Sequence, residues 1–229
     1  MAVIIFGHRG APGYPRKAEN TKASFRKALQ TGADGLEFDV RRCGDGQLVV
    51  IHDDTIDRTT NGRGRVREMS YEALRQFDAG YGEPIPLLPD VLDEFGGRCV
   101  LNIELKDRAI GHDVKALVRD RHLEQHLIVS AFEWDELRPL LCEVSIGLLS
   151  SRTKHLVATA IKMGAKAIHP RCNVVTKALV EAAHHAELKV YTWTVNDAAE
   201  ISRFREIGVD GVFTDFPERA FMQRDDACP

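Results

Sequence analysis

The chain has 229 residues, enough to bury a sizeable core as one large domain or two small ones. Its 44% hydrophobic and 28% charged content is ordinary for a soluble globular protein, and a formal net charge of -3 gives no electrostatic reason to expect nucleic acid or an anionic membrane as partner. The five cysteines, at positions 43, 99, 142, 172 and 228, are odd in number with no Cys-X-X-Cys pair; they read as reduced thiols of a cytoplasmic protein, not as a disulfide frame or zinc site.

The apolar run 3–6 predicts a short strand buried on both faces. It is too short for the apolar core of a secretory signal and has no basic residue before it. No run approaches a membrane-spanning length, so stable membrane insertion is not expected. The strand ends in Gly7-His8-Arg9-Gly10, where flanking glycines allow a sharp turn and close approach of a ligand. Asn20 or Thr21 then caps a helix running to about residue 30, which Gly32 ends.

The next stretch organises the rest. In the run 34–40 Glu37 and Asp39 are two apart, so on a strand both carboxylates share one face while Leu36, Phe38 and Val40 take the other. A Gly44-Asp45-Gly46 turn leads into the apolar run 48–51. The joint is too short for a parallel crossover, so an antiparallel hairpin is predicted, and it returns His52 and Asp53 toward the acids. A long excursion, 53–89, carries Asp57-Arg58-Thr59-Thr60-Asn61-Gly62, an amphipathic piece near 71–77 and a proline-rich stretch.

From Pro89 the pattern alternates regularly. Helices are predicted near 89–95, 111–121, 134–141, 153–163, 176–187 and 197–206, with a last one after residue 214. Strands are predicted at 99–104, 126–131, 144–149, 165–169, 188–194 and 209–214. With the hairpin's return set aside there are about eight parallel strands, the number that closes a (β/α)8 (TIM) barrel of α/β class. The turn at 31–39 is echoed at 207–215, as expected of repeated helix–strand units.

In such a barrel the strand C-terminal ends share one mouth. This chain places there His8 and Arg9, Glu37 and Asp39, Glu104 and Lys106, Phe132, His169, Trp193 and Asp215, with His52 arriving from the hairpin. Three carboxylates without a nearby cysteine are hard oxygen ligands suited to Mg2+ or Ca2+ rather than Zn2+. Arg9 and Lys106 beside them favour an anionic, phosphate-like substrate. Two histidines flanking the ion can serve as general acid and base near neutral pH. Together these imply metal-assisted displacement at a phosphodiester.

These motifs carry a resemblance. His8-Arg9-Gly10, Glu19-Asn20-Thr21, Glu37-Phe38-Asp39, Val50-Ile51-His52-Asp53, Arg58-Thr59-Thr60 with Gly62, Glu104-Leu105-Lys106 and Trp193-Thr194-Val195-Asn196 stand in the order seen in the glycerophosphodiester phosphodiesterase family, over nearly the whole chain. One departure is Ala18, where the family often has proline. The resemblance implies a single barrel domain, 1–229, with 53–88 as a small insertion over the mouth. It implies Glu37, Asp39 and Glu104 as ligands of a divalent cation (Mg2+ or Ca2+) and His8 and His52 as the acid–base pair. Arg9 and Lys106 would hold the phosphate, and Trp193 would wall the glycerol. The implied substrates are glycerophosphodiesters such as glycerophosphocholine and glycerophosphoethanolamine, cleaved to glycerol 3-phosphate and an alcohol. Two readings compete: a lysophospholipase-D-like hydrolase with an apolar entrance from Tyr81, Leu87 and Leu88, and a non-catalytic phosphate-ester binding protein. Assembly into a homo-oligomer is left open.

Overall fold

In the computed structural model, which describes residues 3–13 and 18–220, the period-two pattern of the acidic strand sets the architecture. In β2 (Gly35–Arg42) the fully buried Leu36, Phe38 and Val40 join the core beneath the outer helices, where Phe38 meets Phe25 at 5.5 Å between ring centroids. Glu37 and Asp39 take the opposite face. β2 pairs in parallel with β1 (Ile4–His8) on one side and β4 (Val100–Leu105) on the other. The sheet continues through β5 (Leu127–Ala131), β6 (Ser145–Ser150), β7 (Ala167–Pro170), β8 (Lys189–Thr192) and β9 (Gly211–Thr214), and β9 returns to β1. Eight parallel strands thus close the expected TIM barrel. β3 (Leu48–Val50) stays outside the ring, antiparallel to β2 with Val40 opposite Val50.

Helices α1 (Lys22–Gln30), α3 (Leu88–Phe95), α4 (Gly111–Arg119), α5 (Leu156–Met163), α6 (Lys177–His185) and α7 (Ala198–Glu206) pack outside. Their starts follow local chemistry: Thr21, Thr176 and Asp197 each accept a backbone N–H of the first turn through their side chains. The helix predicted at 134–141 is instead a 3-10 helix, Trp134–Leu140. Pro139 inside it has no N–H to donate and its ring crowds the preceding turn, which works against a regular α-helix there. The piece near 71–77 shrinks to one turn, α2 (Tyr71–Leu74). Residues 217–220 are helical, and the rest of the last predicted helix, with Cys228, lies outside the described residues. Cys43, Cys99, Cys142 and Cys172 are free thiols. Among the described residues no helix is long and apolar enough to cross a membrane.

Among the described residues three apolar clusters result. The largest lies between strands and outer helices. A second, of Cys43, Val49, Ile51, Ile56, Val66, Leu74, Ala79 and Ile85, is built mainly by the segment between β3 and α3. The third fills the barrel interior: Phe6, Ala167, Tyr191 and Phe213, with Phe6 stacked on Phe213 at 4.9 Å. His169 sits in this interior without solvent contact, its ring beside Tyr191 and Phe213, and neither ring nitrogen has a hydrogen-bond partner. Burial pushes its pKa down to about 3, which keeps it neutral.

The ring of His169 lies directly over Gly147: a Cβ there would stand 2.3 Å from its Nε2. Both residues are enclosed, so Gly147→Ala should destabilise the fold by about 1–3 kcal/mol in urea unfolding. Adding His169→Ala should recover part of that loss, because it removes the atoms that clash.

Candidate active site

The mouth is assembled from three adjacent strands. Register places His8 opposite Glu37 and Asp39 opposite Glu104. One oxygen each of Glu37, Asp39 and Glu104 falls within 4.8 Å of the others, and all three residues are buried. Lys106 leaves β4 two residues after Glu104, so its stem returns along the same face. Its Nζ lies 2.6 Å from Glu104 Oε1 and 3.7 Å from Asp39 Oδ1.

Arg9 follows β1 in the left-handed region (φ 55), as do Ala18 (φ 62) and Asn20 (φ 57) of the same loop. A proline, held near −65°, cannot take the conformation of Ala18, so the departure from the family pattern has a structural consequence here. Gly80 packs directly on Ala18. Hydrogen bonds hold these unusual dihedrals: Asn20 N and Ser24 Oγ both donate to Arg9 O. The bend sends the Arg9 N–H to Glu37 Oε2 (2.9 Å) and the guanidinium to Glu19 (2.9 Å) and Asp39 (3.3 Å). Asn20 and Asp39 bond reciprocally, Nδ2 to Oδ2 and backbone N to Oδ1.

Each histidine uses Nδ1 on a carboxylate. His8 Nδ1 lies 2.7 Å from Asp215 Oδ1, and its Nε2 faces Glu37 at 4.0 Å. His52 Nδ1 lies 2.6 Å from Asp53 Oδ1. Asn196 secures Asp215, donating from Nδ2 to Oδ2 and accepting the backbone N–H of Asp215. His8, Arg9, Glu37, His52, Glu104, Lys106 and Trp193 all line one cavity of about 160 Å3. The residues expected for acid–base, phosphate-binding and ion-binding roles are therefore at this mouth, with Asp39 just behind its wall, whereas His169, also expected there, is enclosed in the barrel interior below it. Phe132 and Trp193, both lining the cavity, meet edge to face at 5.5 Å, and Trp193 Nε1 donates to His169 O. Phe132 keeps 44% of its surface exposed. His184 pairs with Asp210, whose side chain also holds Lys189 and Val190 N, away from this cavity.

Burial and mutual repulsion shape the titrations. Burial, reinforced by Asp39 and Glu104, holds the Glu37 carboxyl well above the usual range. Burial and the charge of Asp39 push Glu104 up to about 7, although Lys106 opposes them. Burial also acts to raise Asp39, but the charges of Arg9, His52 and Lys106 outweigh it and hold Asp39 low. His52 is lowered, chiefly by burial. The donor set fits a hard divalent cation: three carboxylates converge, and Asp39 Oδ1 is a buried acceptor with no hydrogen-bond partner.

Sequence reasoning placed Asp53 and Asp215 at the right strand ends without giving them roles. It missed the ties made by Arg58 and Asn196. It also missed Asn102, which lines the cavity and donates to Ser130 Oγ while its Oδ1 lacks a partner. A signal for Asn102 was present, since it precedes Glu104 by two and so shares its face.

Comparison with known proteins agrees with this geometry. The profile of the glycerophosphoryl diester phosphodiesterase family matches residues 8–219. A glycerophosphodiester phosphodiesterase from Bacillus altitudinis is 37% identical over 97% of this chain and 98% of its own. The crystal structure of a glycerophosphodiester phosphodiesterase from Agrobacterium tumefaciens superposes with a TM-score of 0.88 at 30% identity, covering 98% of this chain and all of the other. A phosphodiesterase from Oleispira antarctica, solved with the product sn-glycerol-3-phosphate, gives a TM-score of 0.85 at 28% identity, covering 97% and 96%. The chain thus belongs to the glycerophosphoryl diester phosphodiesterase family and is a phosphoric diester hydrolase.

Proposed function

We propose that the chain cleaves small glycerophosphodiesters, such as glycerophosphocholine and glycerophosphoethanolamine, to glycerol 3-phosphate and the free alcohol, with His8 and His52 as the acid–base pair. The observation that carries this reading is that both imidazoles line one small cavity with Glu37, Glu104 and Lys106. Asp53 is held well below the usual carboxylate range, chiefly by hydrogen bonds from Arg58, so it accepts and does not donate. Neutral His52 therefore carries its proton on Nδ1 and leaves Nε2 as the base. His8 is oriented in the same way by Asp215. One imidazole takes the proton of an attacking water while the other gives one to the departing alkoxide as its P–O bond breaks; if the neighbouring glycerol hydroxyl attacks first, water then opens the resulting cyclic phosphate.

Glu37, Asp39 and Glu104 would hold Mg2+ or Ca2+, which when bound neutralises charge on the phosphate oxygens. Lys106 and the Arg9 backbone and side chain complete a cationic rim. Trp193, fixed by its bond to His169 O, presents an apolar wall to the glycerol carbons. A cavity this small suits the glycerol phosphate half and leaves the alcohol at the mouth. That argues for short diesters over lysophospholipids, though exposed Phe132 supplies some apolar surface at the rim. The same reading takes residues 1–229 as one barrel domain, with 53–88 as an insertion beside its mouth, working in the cytoplasm.

His8→Ala and His52→Ala should each lower kcat by about 10²–10⁴ in an assay of glycerol 3-phosphate release from glycerophosphocholine, with unchanged circular dichroism. Near wild-type turnover by both variants would overturn the assignment. Chelation should abolish wild-type turnover, and Mg2+ or Ca2+ should restore it; turnover that persists in chelator would remove the metal from the reading.

A pH dependence follows from the raised carboxyls. In the metal-free protein Glu37 and Glu104 keep protons that an unfolded chain releases above about 4.5, so the folded state binds more protons between there and about 7. This carboxyl contribution to the stability of the metal-free protein should therefore fall as pH rises through that window. The lowered Asp39 acts only below its ordinary value of 3.8 and does not oppose this. Neutral His169 and lowered His52 do oppose it below their ordinary 6.5, so the carboxyl part is read as the difference in pH dependence between the unaltered protein and its Glu37→Gln/Glu104→Gln variant. Cation binding should tighten with pH over the same range and release protons, as calorimetry in buffers of different ionisation enthalpy would measure.

A further inference from the structure

Arg58 stands outside the cavity yet carries two forked pairs. Its Nε donates to Asp53 Oδ2 at 2.7 Å and its Nη2 to Asp53 Oδ1 at 2.9 Å. On the other side Nη1 donates to Glu19 Oε2 at 2.9 Å and Nη2 to Glu19 Oε1 at 2.8 Å. Asp53 is the carboxylate on His52 Nδ1, and Glu19 is the carboxylate on the Arg9 guanidinium. Among the described residues Arg58 is the one group bonded to both.

We propose that Arg58 is a positioning residue for the phosphodiesterase reaction: one guanidinium sets the orientation of His52 through Asp53 and of Arg9 through Glu19. The inference rests on the reading of His52 given above. Arg9 and His52 follow β1 and β3, which both pair with β2, so register brings their backbones to the same mouth, but it leaves the orientation of the two side chains to contacts beyond the strands. A planar fork with two parallel N–H donors on each side does fix it. An ammonium cannot, because it is a point charge without that geometry.

A purely structural role fits less well, because the turn around Arg58 has its own anchors. Thr60 Oγ1 donates to Ile56 O, Gly62 N donates to Thr60 Oγ1, and Gly64 N donates to Asp57 Oδ1. Gly62 sits flat against the ring of Phe77, where a Cβ would come within 2.3 Å. None of these contacts uses the guanidinium, whose side chain is 44% exposed.

The test compares Arg58→Ala and Arg58→Lys in the full chain, with and without Mg2+. Three readouts are taken: turnover of glycerophosphocholine, melting temperature, and the 15N shifts of the His52 ring, assigned by loss of the signal in His52→Asn. Expected are a fall in kcat of about 10- to 100-fold in both variants, with a smaller change in KM and little change in melting temperature. The His52 ring should move from the Nδ1–H form toward a tautomer mixture, and added guanidinium ion should restore part of the turnover of Arg58→Ala. Unchanged kcat with an unchanged tautomer would overturn the inference, as would a loss of turnover that only tracks lost stability. If Arg58→Ala does not fold, the Lys variant decides by the same readouts. Wild-type turnover in the same assay tests the parent reading separately, since the ring shifts report on Arg58 even if wild type releases no glycerol 3-phosphate.

Discussion

Three carboxyl groups withdrawn from water within 4.8 Å of one another are the hardest condition this fold has to meet. Isolated buried charges are costly, and like charges side by side are worse. The chain meets the condition with cations from the same strands. Arg9 follows His8 out of β1, and Lys106 follows Glu104 out of β4, so acids and cations come from three adjacent strands. Parallel register then places the acids and His8 without help from loops: His8 stands opposite Glu37, and Asp39 opposite Glu104. A slip of one residue in β2 would turn Glu37 and Asp39 toward the outer helices and bring Leu36 and Phe38 into the mouth. The apolar residues that hold β2 in place therefore specify the site as firmly as the acids do.

Around this centre the structure adds a shell of ties that reach far along the chain. Asn20 closes a reciprocal pair with Asp39, and Asp215, secured by Asn196, fixes His8. The left-handed residues of the first loop belong to the same shell. Arg9 must double back to present its N–H to Glu37 and its guanidinium to Asp39 and Glu19, and a positive φ is how the chain turns that tightly. Such dihedrals persist because the bonds to Arg9 O and from Arg9 N hold them.

Much of this was legible in sequence because it depends on period and spacing. Glu37 with Asp39, and Glu104 with Lys106, announce a shared strand face. The Gly44-Asp45-Gly46 joint announces a hairpin, and alternating runs announce a parallel barrel. What was hidden depends on contacts that no local rule encodes. Asp215 meets His8 across a separation of 207 residues, and Arg58 meets Glu19 across 39. Only barrel closure makes the first pair neighbours. The 134–141 segment misled in the other direction: the alternation of elements called for an α-helix there, and with Pro139 inside it the segment forms a 3-10 helix. Arg9, expected beside the phosphate, does line the cavity, and what the sequence did not reveal is that its guanidinium is also tied to two carboxylates.

The division of the barrel interior explains why so many charges can act on one ligand. Phe6, Tyr191, Phe213 and neutral His169 seal the space beneath the mouth, so a ligand can approach from one side only. Electrostatic interactions above such a floor are stronger than in water, because little solvent is present to screen them. Arg9 and Lys106 offset part of the triad's negative charge, and Arg9 is itself shared with Glu19, so with the triad ionised the mouth keeps an excess of negative charge. That excess is what suits it to a divalent cation, and a cation held there would in turn favour a singly negative phosphodiester. The proposed function thus carries the expectation that ion and diester bind more tightly together than apart.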